Sequence, residues 1–384
     1  MTASDVRETS KPTRVVFAPD SFKGTIRAAA AAQAMADGWA AVRPHDELVC
    51  LPMADGGEGT LDAFASAVPG ARRMPVTVTG PTGTPVDTCW LLLPADHGPA
   101  ATAVVELANT SGIELVADAT ALRPLDASTI GFGQAIRDAL EYGATRLVLA
   151  VGSSASSDGG AGLLHALGAR VVDADGSPVG PGARGLENVA HVDLGGLVPL
   201  PRDGALVLTD VVSPLLGPDG AAAVFAPQKG ANADEVMRIE WALARWSRAV
   251  GFDPRTPGAG AAGGAGFGLM AWGAQAAPGA VTIADLVALR ASIEGAALVV
   301  TGEGSWDGQS PHGKAPSVVI AQAREAGVPV ALVAGRILAR PVGVVAAISL
   351  AKTAGSPDRA MADAARWLRE AGARLARESV EGVT

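Results

Sequence analysis

Four apolar, strand-like runs in the sequence each end in a loop that combines glycine with a carboxylate. They are VVFAPDSFKG (15–24), CLPMADGGEGT (50–60), LAVGSSASSDGGAG (149–162) and LVVTGEGSWDGQSPHGK (298–314). Glycine lets backbone N–H groups approach a ligand, and a carboxylate at a strand end can hold a metal ion or take a proton. One loop of this kind is a turn. Four of them point to one crevice at the carboxyl ends of an open α/β sheet.

The loops carry different chemistry. Gly308 to Lys314 has the G-x-x-x-x-G-K spacing of a phosphate-cradling loop, but Ala315 stands where that motif needs a Ser or Thr for Mg²⁺. Gly313 and Lys314 closely precede Pro316, a residue favoured in the first turn of a helix, so backbone amides and an ammonium face one anion site. Glu303 or Asp307 can stand in for the missing hydroxyl as a metal ligand; the plainer alternative is a capped helix with a surface lysine. In ADGGEGT, Asp55 ends a strand and is the functional candidate, whereas Glu58 suits the dipole of the helix that follows. Asp20 and Lys23 flank a turn in PDSFKG, at the end of the first strand. Ser154, Ser156 and Ser157 precede Asp158 at a helix start, which makes either a carboxylate or phosphate site or an ordinary N-cap. Asp210 ends a strand in TDVVSPLLG, and Lys229 follows a short apolar run in APQKG. Gly258, Gly260 and Gly263 spell G-x-G-x-x-G without the preceding strand that a dinucleotide fingerprint requires. A close-packing turn or a cradle for a small anion or nucleotide remains there.

The elements that must position these residues alternate. A strand over 14–19, a helix over about 26–42, a strand over 47–52 and a helix over 57–68 make a βαβα opening, which predicts a parallel sheet. The pattern resumes with a strand over 297–301, a helix over 316–326, strands over 329–334 and 343–349, and a last helix from about 358 to 377. Between these ends, 72–108 shows short strands separated by Gly and Pro turns, more like an antiparallel or mixed sheet. The expected class is α/β with two domains. One is a doubly wound parallel sheet formed by both chain ends, 1–74 and 290–384. The other is an inserted α/β domain with a mixed sheet, 75–289, which includes a helix over 233–250 and a structured glycine-rich loop over 258–268.

Composition agrees and narrows the function. With 384 residues, 48% hydrophobic and 18% charged, the chain can bury two aliphatic cores; 7 Trp, 7 Phe and 1 Tyr leave these to Ala, Val and Leu. A formal charge of −9 with no basic run argues against nucleic acid and anionic membrane as partners. Two cysteines in no metal spacing, no apolar leader and no run of about 18 apolar residues lead to the expectation of a cytoplasmic protein. The absence of HxH, HExxH and GxSxG argues against a zinc site and a serine hydrolase.

Taken together and in this order, APDSFKG, PMADGGEGT, VTGPTGTPV, TSGIELV, SDGGAGLLHALGA, SPLLGPDGAA, PQKGA, PGAGAAGG and TGEGSWDGQSPHGKAP resemble the bacterial class I glycerate kinase family, from Arg14 to about Leu375. The resemblance implies ATP-dependent phosphorylation of D-glycerate, usually at the 2-hydroxyl. It also implies a flavodoxin-like domain paired with a second α/β domain and an active site in the cleft between them. Two positions depart from the family pattern. Ser157 stands for Asn in GGSATNDGGAG, and Ser213 for Asn in DVxNPLLG; both changes shorten a polar side chain and remove an amide donor.

On that resemblance the cofactors are ATP and Mg²⁺, and the partner is a small hydroxy acid, with a homodimer left open. Gln309, Gly313, Lys314 and Gly260 are expected at the ATP. A subset of Asp55, Asp210, Glu303 and Asp307 is expected at the metal, with Asp55 also counted among the catalytic residues. Asp158 is the expected general base, Lys23 and Lys229 meet the carboxylate or the transferred phosphoryl group, and Asp20, Ser154, Ser156 and Ser157 line the acceptor. A kinase for another hydroxy acid, a metal-dependent phosphatase and a non-catalytic nucleotide-binding homologue stay open as alternatives.

Overall fold

Runs such as VVF (15–17), LVLA (147–150) and LVV (298–300) are apolar at every position rather than at every second one, as in strands covered on both faces. The computed structural model describes residues 12–95, 101–116, 118–307 and 314–381. Its strands, in chain order, begin with β1 (Arg14–Phe17), β2 (Glu47–Cys50), β3 (Arg72–Thr79), β4 (Pro85–Leu93), β5 (Thr102–Glu106) and β6 (Arg146–Ala150). They continue with β7 (Arg170–Val172), β8 (His191–Asp193), β9 (Ala205–Leu208), β10 (Gln275–Ala277), β11 (Leu298–Trp306), β12 (Val330–Ile337) and β13 (Ala346–Ser349).

Contacts divide the chain into two units, Met1–Met53 with Ala284–Thr384, and Ala54–Ile283. The first division falls at 53/54 rather than at 74/75. The reason is local: helix α2 (Thr60–Ala67) packs on β5, and its first turn is held by the Glu106 carboxylate.

The first unit is an all-parallel sheet in the order β13-β12-β11-β1-β2. Counted within the unit this is the flavodoxin-like order 2-1-3-4-5, whose ligand crevice lies where the order reverses, beside its first strand. Helix α1 (Ala28–Ala40) and the helix Ala364–Glu381 pack together over Phe17, Met35 and Trp39. Their backbones come so close that a Cβ on Gly38 would strike the Arg369 carbonyl, and one on Gly372 the Met35 carbonyl. The single last helix expected from the sequence is two, Pro357–Ala362 and Ala364–Glu381, because Asp363 leaves helical geometry and accepts the Arg366 N–H at 3.3 Å as an N-cap.

The second unit holds a mixed sheet in the order β10-β9-β6-β5-β4-β3. β10, β9, β6 and β5 run parallel, and β3–β4–β5 form the antiparallel edge expected over 72–108. A two-stranded ribbon of β7 and β8 stands apart from the sheet's hydrogen bonding. Trp90, Phe132, Trp246 and Phe267 fill the core. The glycine-rich stretch is a structured loop as far as Gly264, with Ala262, Gly263 and Gly264 at φ of 55°, 69° and 90°, and turns helical only from Ala265 on to Trp272. Glycine is required there: a Cβ on Gly263 would collide with the Ser156 carbonyl, and one on Gly264 would lie 2.7 Å from Gly159 Cα. Among the described residues no helix is long and apolar enough to cross a membrane.

Candidate active site

In the first unit the strand-end loops of β1 and β11 meet at the point of order reversal. The Asp20 N–H donates to the Gly302 carbonyl at 2.8 Å, and the Ser21 N–H to Asp20 Oδ1 at 2.6 Å, so Asp20 is buried and fixed. Gly304 on β11 leaves the Lys23 backbone room, and the Lys23 side chain is exposed. Glu303 lies on β11 and is 6% exposed. Lys314 is the N-cap of the helix Ala315–Glu325, with Pro316 in its first turn, and its Nζ stands 4.0 Å from Glu303 Oε2. That separation is the outer limit of an ion pair, so the ammonium keeps capacity for an anion at the helix start. Asp307 follows the end of β11; Gln309 and Gly313 lie outside the described residues.

In the second unit the acids gather at the carboxyl ends of parallel strands. Asp55 accepts the Gly57 N–H at 3.2 Å through Oδ1, and Asp210, past the end of β9, accepts the Gly279 N–H at 3.0 Å. Gly279 is what lets the two segments close, since a Cβ there would strike the Asp55 carbonyl. The Asp210 carboxyl is held above the ordinary aspartate range, chiefly by partial burial and then by the negative charge of Asp55, against the Gly279 and Ala280 N–H groups. Two carboxylates that repel each other in this way are the candidates in this unit to hold a cation.

The serine loop is different in kind. Ser154, Ser156, Ser157, Asp158 and Lys229 are all buried. Asp158 accepts from the Thr129 N–H (2.8 Å), the Thr129 hydroxyl (2.9 Å), the Ser128 hydroxyl (3.4 Å) and the N–H groups of Gly160 (3.1 Å) and Gly162 (3.2 Å). Burial raises its pKa, and those donors oppose the rise. Ser154 and Ser156 hydroxyls lie 3.1 Å apart and bond to each other. Ser157 Oγ is buried and has no hydrogen-bond partner among the described residues. Lys229 donates from Nζ to the Ser156 carbonyl; burial pulls its pKa down to about 7, partly countered by Asp158. The hydroxyls expected to line an acceptor are thus buried, with Ser154 and Ser156 bonded to each other and the loop tied to Lys229. Gly260 also packs tightly, since a Cβ there would strike the Pro214 carbonyl.

Sequence reasoning passed over Glu106, which ends β5 in TAVVELA. Its carboxylate accepts the Gly59 N–H at 3.2 Å and the Leu61 N–H at 2.9 Å, 5% exposed. A lone acid closing an apolar strand was the signal that could have found it. Thr129, which binds both oxygens of Asp158 and accepts the Leu163 N–H at 3.0 Å, carried no signal.

With this geometry in hand, comparison with known proteins identifies the lineage. The model of the Glycerate kinase family matches residues 15–379. The chain belongs to the glycerate kinase family. It is 40% identical over 339 residues to Glycerate 2-kinase of Escherichia coli K12, covering 86% of this chain and 87% of that protein. It is 41% identical over 331 residues to Glycerate kinase of Bacillus subtilis 168, covering 84% and 85%. A crystal structure described as a candidate glycerate kinase 2 from Salmonella typhimurium LT2 superposes with a TM-score of 0.81 at 37% identity, over 97% of this chain and 99% of that one. A glycerate kinase family member is a phosphotransferase with an alcohol group as acceptor, and a member needs a way to neutralise phosphate charge. Among the described residues no three His, Cys, Asp or Glu side chains gather into a metal cage. Mg²⁺ rarely uses one; it takes one or two carboxylates with waters and substrate phosphates, which is what the Asp55–Asp210 pair offers.

Proposed function

We propose that this protein transfers the γ-phosphoryl group of ATP to the 2-hydroxyl of D-glycerate in the presence of Mg²⁺. The observation that carries the reading is similarity along nearly the whole chain to a relative named Glycerate 2-kinase. The site geometry supports it. Phosphoryl transfer asks the protein for positioning and charge stabilisation more than for covalent chemistry. Lys314, with the Ala315 N–H at the start of the helix Ala315–Glu325, receives the polyphosphate, with Glu303 and Asp307 nearby in sequence. Asp55 and Asp210 hold the Mg²⁺, which when bound neutralises the charge that develops on the transferred group. Exposed Lys23, beside the fixed Asp20, receives the glycerate carboxylate or the transferred group.

A proton acceptor must reach the substrate hydroxyl. Asp158 is fully buried behind five donors, so here we give it the task of fixing the serine loop, with Lys229 bracing the same loop through the Ser156 carbonyl. The reading includes a reducing, cytoplasmic setting, in keeping with free Cys50 and Cys89.

The test is product identification by NMR after incubation with ATP, Mg²⁺ and D-glycerate. The expected product is 2-phosphoglycerate. 3-Phosphoglycerate would overturn the assigned hydroxyl, faster turnover of another hydroxy acid would overturn the acceptor, and phosphate release from phosphoesters without ATP would overturn the kinase.

A further inference from the structure

Within the Asp55 loop the bonds are two, from the Gly57 N–H to Asp55 Oδ1 at 3.2 Å and from the Thr60 hydroxyl to the Gly57 carbonyl at 2.8 Å. Gly56 and Gly59 have φ of 92° and 88°, and Gly59, as the N-cap of α2, has no side chain to cap that helix. The first turn of α2 therefore presents N–H groups that need an acceptor from elsewhere. Glu106 supplies it from the end of β5, taking Gly59 and Leu61 with one oxygen each. The Gly152 N–H, just past the end of β6, donates to the Gly56 carbonyl at 3.0 Å. The five residues from Asp55 to Gly59 are thus pinned to two neighbouring strands, with Asp55 facing the segment that bonds Asp210 through Gly279.

We propose that Glu106 is a positioning residue that holds the Gly56–Gly59 turn so that Asp55 stands beside Asp210 as a divalent-cation site. The proposal rests on the reading that this carboxylate pair holds Mg²⁺. Glu106 does not reach the ion itself; it acts through two backbone N–H groups. Its effect depends on its own charge, because a protonated carboxyl gives up one of its acceptor positions. Burial pushes the Glu106 pKa up to about 7, the Leu61 and Gly59 N–H groups oppose this, and the carboxylates of Asp62 and Glu58 add to it. Asp62 is itself paired with Arg73 of β3 at 2.5 Å, and Arg73 also reaches Cys89 of β4 at 3.7 Å. Raising the pH through 7 ionises Glu106, restores both acceptors and tightens the turn.

The experiment titrates the metal-free protein with Mn²⁺ alone, followed by the electron paramagnetic resonance of the free ion. Amide hydrogen exchange across 55–61 is measured beside it. Glu106→Gln keeps the shape but turns an NH₂ group toward one of the two N–H donors. We expect about tenfold weaker Mn²⁺ binding, the usual scale for a partner behind the ligands. We also expect faster exchange over 55–61; the wild type should gain affinity between pH 6 and 8, and the variant should lose that gain. Asp55→Asn and Asp210→Asn should each remove the binding. Unchanged Mn²⁺ affinity and pH response in the Gln variant, with binding lost in the Asn variants, overturns the role of Glu106 and leaves the metal reading standing. Undiminished Mn²⁺ binding in both Asn variants removes the metal reading, and the role of Glu106 with it. If the Gln variant does not fold, Glu106→Asp, which keeps the charge and loses reach, takes its place; affinity equal to wild type then overturns the proposal.

Discussion

At the scale of single residues, burial decides what a polar side chain can do. Asp158 and Asp210 are both aspartates near strand ends, yet one is enclosed by donors and the other is only partly buried, with a like charge beside it. Asp158→Asn would put an amide NH₂ among N–H and O–H donors inside the unit. A loss of about 3 kcal/mol is expected for such a mismatch, on the order of 5–10 °C in melting temperature. Calorimetry checks this; an unchanged melting temperature with turnover abolished would return Asp158 to the role of proton acceptor. The sequence displays the types and order of these residues, and with them the family. It does not display direction. Ser154 and Ser156 read as ligand-facing hydroxyls because they precede a helix, but the left-handed Ser153 (φ 60°) turns the loop so that they bond each other. Nothing in a string of serines encodes that turn.

At the scale of elements, the strands and helices of the chain ends were legible because their apolar runs are continuous and their loops are marked by glycine and proline. The helix expected over 233–250 is observed as Ala233–Val250, with an Asn232–Glu235 capping box to fix its start. The helical start at Ala265 was not legible within the glycine-rich stretch, since glycine lowers helix propensity and only tertiary contacts reveal why it is there. The same holds for the α1 contact with Ala364–Glu381. By helix propensity Gly38 and Gly372 weaken their helices, yet they are the places where two backbones touch. Gly372→Ala should therefore destabilise by about 1–3 kcal/mol, although alanine is the better helix former. Chemical denaturation followed by circular dichroism checks the sign; a stabilised variant would mean the helices can move apart without cost.

At the scale of the whole molecule, two buried groups shape how stability responds to pH. Glu106 binds its proton more tightly folded than unfolded, so its contribution declines as pH rises from 4.5 to about 7. Lys229 binds its proton less tightly folded, so stability rises again from about 7 toward 10.5. The two windows meet near neutrality. Unfolding free energies measured from pH 5 to 10 should show a shallow minimum near pH 7, and Glu106→Gln with Lys229→Met should flatten it; a curve of the same shape in the double variant would count against both assignments.

The flavodoxin-like sheet has one more consequence, in time rather than in energy. β1 lies between β2 and β11, and the Thr301 hydroxyl reaches the Ala18 carbonyl across 283 positions of sequence. At about 5–20 residues per second on a ribosome, β1 waits roughly 15–55 s for that neighbour to be made. During the wait the apolar residues of β1 lack the neighbour that covers this edge in the folded sheet. A nascent chain stalled anywhere before β11 is thus the form of this protein that a chaperone has most reason to meet.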